Sequence, residues 1–304
     1  MSTAALAEAI ARYTDAQSGP SPYVTAVPGL TLVRADRPTE PMPRLQKPSL
    51  CIVAQGAKGG SVGKTRVEYR AGQALVVGVE MPGVGRVSEA SVLAPFLGAV
   101  VEFDPVVLRE VLEGFGDPIA PSRGVSGAFV ADFGDDVAAC MLRLIALLER
   151  PHAIPALVPA MMRELSYWLL AGPSGGTVAS VVFGVDRSER VIAAIRMLRE
   201  RFRETIRTRE LAETAGMSTS AFNRTFKSMT SLTPLQYQKH VRLHEARNLM
   251  LASAANAETA AYRVGYESAS HFSREYARMF GAPPHRDTES AKAALGKRRA
   301  VSAP

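Results

Sequence analysis

The spacing of apolar residues changes along this chain, and the change divides it into two parts. In residues 1 to 17, the run MSTAALAEAIARY has the repeat of a short amphipathic helix, ended by the breaker SGPSP. From Gly29 to about Asp104 the apolar runs are short and rich in Val, Leu and Ile: GLTLVR, PSLCIVAQG, TRVEYRAGQALVVG and PFLGAVVEFD. Gly or Pro interrupts them at short intervals, so the strands of a small β-sandwich or barrel are expected. Between two of these runs, GAKGGSVGK has glycines and a lysine without the spacing of a phosphate loop, and it reads as a hairpin turn. Pro105 then opens a helix, PVVLREVLEGF, with Pro in the favoured first turn and Gly114 near the end.

Beyond this point the period is helical. DDVAACMLRLIALLER (135–150) and PALVPAMMRELSYWLLAG (155–172) carry apolar residues at i, i+3 and i+4, with Pro151 and Gly172 marking their ends. Faces this wide pack either on the barrel of the same chain or on a partner subunit, so a homodimer is expected. GPSGGTVAS (172–180) predicts a linker. Asp186 and Glu189 then have the spacing of a helix-capping pair, and Val191, Ile192, Ile195, Leu198 and Phe202 form one side of the helix behind them. That helix is expected to pack under the segment that follows.

The following segment is repeated. LAETAGMSTSAFNRTFKSMTSLTP (211–234) and AAYRVGYESASHFSREYARMFGAPP (260–284) align at an offset of 50, which pairs Phe222 with Phe272, Arg224 with Arg274, Phe226 with Tyr276 and Pro234 with Pro284. Gly216 and Gly265 are offset by 49, so the second turn carries one extra residue. Each copy reads as a helix-turn-helix, in which the second helix enters the major groove of DNA. Phe222 and Phe226 have the spacing of an inward face; Ser220, Asn223, Arg224 and Lys227 fall on the outward one. In the second copy Phe272 and Tyr276 point inward, and Ser270, His271, Ser273 and Arg274 outward. Asn matches the edge of adenine and Arg that of guanine, whereas Lys usually takes phosphate. Between the copies, LQYQKHVRLHEARNLMLA is about 18 residues of helical pattern, a rod of roughly 27 Å. Successive major grooves on one face of DNA are about 34 Å apart, so one protomer can span two of them.

Charge points the same way. Residues 186 to 304 hold 21 Lys and Arg against 12 Asp and Glu, whereas residues 1 to 185 hold 15 against 17. The net charge of +7 therefore belongs to the part with the repeat, as expected of a surface that faces phosphates. Two cysteines, Cys51 and Cys140, make no disulfide framework and point to a reducing compartment. The start lacks the pattern of a signal peptide and no run is long enough to span a membrane, so a cytoplasmic protein is expected.

On these residues, 186 to 285 resemble the DNA-binding domain of the AraC/XylS family of bacterial transcription regulators, and AYRVGYESASHFSREYARMFGAPP is very close to the family's signature stretch. The resemblance implies base contacts by Ser220, Asn223 and Arg224 in the first unit and by Ser270, Ser273 and Arg274 in the second. The first unit departs at Ser231, where the family commonly has Gly; the second keeps Gly281. Residues 20 to 170 resemble the N-terminal domain of one AraC-type subgroup, with PSLCIVAQGAKGG and QALVVGVEMPGVGRVSEAS as the similar stretches. That resemblance implies a cupin-like β-barrel sensing a small molecule, with aldehyde or alcohol metabolism among the subgroup's targets. Activation is the family tendency, and it implies RNA polymerase as a partner.

The expected fold is thus α+β. A cupin-like β-barrel with flanking helices (1–180) precedes an all-α domain of two helix-turn-helix units joined by a linker helix (181–285). A disordered tail (286–304) is expected to follow, its Lys297, Arg298 and Arg299 adding weak phosphate contacts at most. The alternatives are a cupin-type enzyme with a DNA-binding appendage and a non-specific architectural DNA protein. A metal cupin needs clustered histidines, yet all five, at 152, 240, 244, 271 and 285, lie outside residues 20 to 120. No metal, cofactor or catalytic residue is expected. Cys51, mid-strand in SLCIVAQ, reads either as a small core residue or as a thiol that senses an effector or oxidant.

Overall fold

The computed structural model describes residues 3–63, 65–115, 119, 127–183 and 187–301. Its first half is built on ten antiparallel strands: β1 (Tyr23–Val24), β2 (Leu30–Ala35), β3 (Met42–Gln46), β4 (Ser49–Gln55), β5 (Ala57–Val62), β6 (Thr65–Arg70), β7 (Gln73–Val77), β8 (Met81–Glu89), β9 (Phe96–Glu102) and β10 (Ala128–Asp132). They form a six-stranded sheet in the order β1-β2-β9-β4-β7-β10 and a four-stranded sheet in the order β3-β8-β5-β6. Among the described residues five α-helices accompany them: α1 (Thr3–Asp15), α2 (Pro105–Glu113), α3 (Asp135–Ala146), α4 (Ile154–Ala171) and α5 (Gly175–Phe183).

Strand β4 explains the architecture. It is buried along nearly its whole length, because its two faces serve two cores. Leu50, Ile52 and Ala54 belong to a cluster with Leu6 and Ile10 of α1, Leu144 of α3 and Leu165 of α4. Cys51 and Val53 point the other way, toward Val62, Tyr69 and Val87 of the small sheet. A strand covered on both faces is continuously apolar, as SLCIVAQ is, rather than alternating.

Several segments differ from their sequence reading. Most of GAKGGSVGK is strand rather than turn: Ala57–Val62 is β5, paired with β6 on one side and β8 on the other, and the hairpin turn is confined to the end of the segment, at Gly63 (φ +59°). Its glycines are what the close packing requires, since a Cβ at Gly60 would collide with the Val84 carbonyl. β3 and β8 are similarly obscured by Pro43, Pro82, Gly83 and Gly85, although β3 is an edge strand, where Pro is tolerated. GPSGGTVAS is not a linker. Helix α5 begins at Gly175, and Val178, Ala179, Val181 and Val182 are buried. The helix lies so close to the sheet that a Cβ at Gly78 would meet Val181. The apolar run TVASVVF outweighs the glycines ahead of it. Asp186, where the expected capping pair begins, lies outside the described residues.

The second half is helical: α6 (Arg187–Glu200), α7 (Thr208–Thr214), α8 (Thr219–Thr230), α9 (Pro234–Leu251), α10 (Ala257–Arg263), α11 (Ala269–Phe280) and α12 (Pro284–Val301). Of the tail expected to be disordered from 286, residues 286–301 continue α12. Its first turns are anchored: Asp287 accepts hydrogen bonds from Arg247 (2.8 Å) and from the Tyr276 hydroxyl (2.7 Å), and Thr288 is buried. Lys297, Arg298 and Arg299 fall where side chains lie outside the described residues.

The cores divide unevenly. Val191, Ile195, Leu198, Phe222, Phe226 and Tyr237 share one continuous cluster with the interior residues Cys51, Val79 and Met81 of the β-rich half. The second helix-turn-helix has a cluster of its own around Met250, Val264, Phe272 and Tyr276. The first unit is thus packed into the β-rich half, and the second is held mainly through α9.

Candidate DNA interface

Both units are built alike. In the first, α7 leads through Gly216 (φ +58°), whose left-handed backbone a β-carbon would disfavour, to α8. Ser218 caps α8, its hydroxyl accepting from the Ala221 amide at 3.3 Å. In the second, Gly265 (φ +89°) and Ser268 do the same for α11, with His271 N donating to the Ser268 hydroxyl at 3.2 Å. Four residues separate α7 from α8 and five separate α10 from α11, the one-residue difference seen in the repeat. Phe222, Phe226, Phe272 and Tyr276 are fully buried.

The opposite faces of α8 and α11 are open. Ser220, Arg224 and Lys227 are exposed on α8 and Asn223 is half-buried; on α11 Ser270, His271 and Arg274 are exposed and Ser273 is half-buried. Arg224, Lys227 and Arg274 make no ion pair with any described residue, whereas Arg199, Arg201, Arg209 and Arg247 each pair with a carboxylate. His271 is less free. Its Nε2 lies 3.6 Å from Glu275, and its ring meets Tyr266 edge-on. Glu275 is buried, which alone would push its pKa up, but hydrogen bonds from Lys239 and Tyr266 outweigh burial and hold it below the usual carboxylate range.

Helix α9 joins the units. Thr233 and Gln236 form a reciprocal capping box at its start, with Pro234 in the first turn. Its 18 residues make a rod of about 27 Å. Arg242, midway along, donates to the Phe202 carbonyl (2.7 Å) and the Glu204 carbonyl (2.9 Å) ahead of the first unit and to the Gly265 carbonyl (2.8 Å) at the second unit's turn. One guanidinium thus fixes the second turn against the start of the first unit. A lone arginine in a helical pattern gives no sequence signal of this role. Glu80, before β8, was missed for the same reason: it lies beside Arg199 of α6 and accepts from Tyr237 of α9.

Cys51 is 4% exposed and lies against Ser49, with sulfur and hydroxyl 3.7 Å apart. It also borders a cavity between the two sheets. Cys140 is buried within α3, and burial pushes its thiol up to about 11, as expected of a packing residue. No helix among the described residues is long and apolar enough to cross a membrane.

A two-sheet β half followed by paired helix-turn-helix units is the architecture of a DNA-binding transcriptional regulator. The family model for the AraC-type transcriptional regulator N-terminus matches residues 26–177, half of the chain, and that for a helix-turn-helix domain matches residues 211–289. The chain belongs to the AraC family of transcriptional regulators. It is 31% identical over 99 residues to the HTH-type transcriptional activator RhaS of Escherichia coli (strain SE11); the match covers 33% of this chain and 36% of that relative's length. Among solved structures, fatty-acid-bound ToxT of Vibrio cholerae strain SCE256 superposes with a TM-score of 0.60 at 8% identity, covering 90% of this chain and 96% of that one. ToxT of Vibrio cholerae O395 gives 0.56 at 10% identity, with 85% and 96% covered. At these identities the likeness is one of fold.

Proposed function

We propose that this chain is an effector-controlled regulator that inserts α8 and α11 into two successive major grooves of promoter DNA. The observation that carries the reading is the pair of exposed, unpaired arginines, Arg224 and Arg274, at equivalent places on the second helix of each unit. In this reading Ser220, Asn223 and Arg224, with Ser270, Ser273 and Arg274, contact base edges, Lys227 takes a phosphate, and His271 lies alongside them. The rod between the units is of the right order for one turn of DNA, so a single protomer covers an asymmetric site.

Residues 1–180 serve as the effector-sensing and dimerisation part, a cupin-like barrel, and residues 181–285 bind DNA. The core that runs from the barrel interior into the first unit supports this division of labour, because a ligand that repacks the barrel perturbs the elements that hold α8. That ToxT is described with a bound fatty acid supports a small-molecule effector here too. Aldehydes and alcohols are the effector classes expected from the subgroup, with Cys51 at the cavity as the thiol that would respond to them. Activation through RNA polymerase is the family tendency, and the protein would act in the cytoplasm.

Selection of binding sites from random DNA followed by footprinting tests the reading. The expected result is a defined site with two protected segments one helical turn apart. Protection without sequence preference would count against it. Cys51→Ser with an unaltered effector response would remove the thiol from the scheme.

A further inference from the structure

Strand register puts an unusual set of residues inside the β-rich half. Val62 of β5 and Met81 and Val87 of β8 are core residues and define the interior face of the small sheet. Lys58 stands opposite Val87 on one side and Tyr69 on the other, so it faces inward. Arg44 of the edge strand β3 stands opposite Gly83, in the same row as Val62, with its side chain exposed at the mouth of the cavity. The remaining inward positions between them, Gly60, Gly83 and Gly85, have no side chains. A Cβ at Gly85 would have Lys58 Cε as its nearest neighbour. Space is left for both cations, and they border a cavity of about 300 Å³ whose other lining includes Val33, Leu45, Val87, Val100 and Cys51.

Charge in the cavity is unbalanced. Its one carboxylate, Glu102, pairs with Lys47 at 2.9 Å, and Arg34 is held by Asp15 and Asp36. Arg44 and Lys58 have no carboxylate partner among the described residues, and the buried Tyr69 hydroxyl makes no hydrogen bond there. Burial, and then the proximity of Arg44, lowers the pKa of Lys58. Lys58 is half-buried there and Arg44 stands exposed at the edge strand, and a partly enclosed ammonium without a counter-ion is costly unless something supplies the opposite charge.

We propose that this cavity is the effector site and that it takes a small carboxylate with an apolar body, the carboxylate between Arg44 and Lys58 and the body along Val33, Val87 and Val100. A planar guanidinium suits a carboxylate, and the aliphatic wall favours an organic acid over free phosphate. The inference rests on the reading of the β-rich half as the sensing part, and it replaces aldehydes and alcohols as the effector class with the acids of the same oxidation series.

Calorimetric titration of the full chain with octanoate and benzoate, against octan-1-ol and benzaldehyde, tests it. The acids are expected to bind at least about tenfold more tightly than the neutral compounds. Lys58→Met and Arg44→Gln should each lose that advantage, and Lys58→Arg should retain it, which separates charge from folding. Equal binding of acid and neutral analogue, no binding of either acid in the millimolar range, or full acid affinity in both charge-removing variants would overturn the proposal. Footprints taken in parallel keep the two readings apart. Octanoate that binds through Lys58 without changing the footprint upholds the site and removes effector control. Octan-1-ol that changes the footprint as strongly as octanoate keeps effector control and removes the acid site.

Discussion

The Nε of Arg199 lies 3.1 Å from Oε1 of Glu80, and this pair joins the two halves of the chain. Glu80 sits between β7 and β8; Arg199 closes α6 and also reaches Glu245 of α9 at 2.5 Å. Tyr237 donates to the same Glu80 oxygen at 3.4 Å. Burial pushes the Glu80 pKa up, and Arg199 only partly offsets it, so the carboxylate is held in place at a cost. Glu80→Ala leaves the half-buried Arg199 with Glu245 alone. Because both partners retain some solvent, a loss of about 1–3 kcal/mol is expected rather than the full cost of breaking a buried pair. Thermal denaturation of the full chain should show the helical half melting earlier; an unchanged melting curve would mean that the pair does not couple the halves.

Ser231 closes α8 in the left-handed region (φ +62°), as Gly281 closes α11 (φ +79°). A serine there carries a steric cost that glycine avoids. Ser231→Gly should therefore stabilise the protein by up to about 1 kcal/mol, less the greater entropy that glycine brings to the unfolded chain. The gain has a limit, since the Ser231 side chain packs so near Gly63 that a Cβ at Gly63 would meet it. Urea denaturation of the two proteins measures the difference. A less stable glycine variant would show that this contact outweighs the strain.

His244 lies buried in α9, edge-on to Phe280, and burial lowers its pKa from 6.5 to about 4, with His240, Arg247 and Arg199 adding repulsion. The unfolded chain therefore binds a proton that the folded chain refuses, and stability is lost as pH falls from about 6.5 toward 4. His240, also pushed down by burial, acts in the same direction. At the acid limit His244 alone accounts for about 3 kcal/mol. His244→Gln should flatten the acid limb of a stability-against-pH curve, and an unchanged limb would assign the loss to the carboxylates.

Lys58 gives the opposite case of a charge kept against stability. Arg44 of β3 faces it from one side, with Tyr69 of β6 and Cys51 of β4 nearby, and burial depresses its pKa. With the folded value below the unfolded one, the charged amine destabilises at neutral pH, and stability rises as pH climbs through the folded pKa toward the ordinary lysine range. Lys58→Met should then make the ligand-free protein more stable by about 1 kcal/mol or more at pH 7. That advantage should shrink in alkali. A less stable Met variant at pH 7 would indicate that the ammonium has a partner in the ligand-free protein.

The helical half was legible because its signals are local. Gly216, Gly265, Ser218 and the phenylalanine pairs fix turns, caps and inward faces within one or two turns of helix, and the repeat doubles each signal. The β-rich half was only partly legible. Strands such as β5 and β8 are glycine-rich because backbones and cations come close there, and that reason exists only once the sheets are assembled. The helix α5 hid behind Gly175 and Gly176, since its burial depends on a sheet groove at Gly78. Arg44, Lys58, Glu80, Arg199 and Arg242 gain meaning from partners up to 157 residues away, as for Glu80 and Tyr237, and no spacing rule reaches that far.

Arg224 and Arg274 separate sequence reading from simple attraction to DNA. Each is exposed and unpaired at the same place in its unit, so each is poised for a base edge rather than engaged in holding the fold. Alanine at either should leave thermal stability unchanged, because no described partner is lost. On the preferred site each substitution should cost about 1–3 kcal/mol of binding, and the loss should vanish when the contacted base pair is itself changed. Lys227→Ala offers the contrast: a phosphate contact weakens all sequences alike and reduces the slope of affinity against salt by about one ion. Binding measured across single-base variants of the site decides between them. If Arg224→Ala and Arg274→Ala weaken every sequence equally, the two helices grip the backbone, and the specificity must come from the shape of the DNA between the grooves.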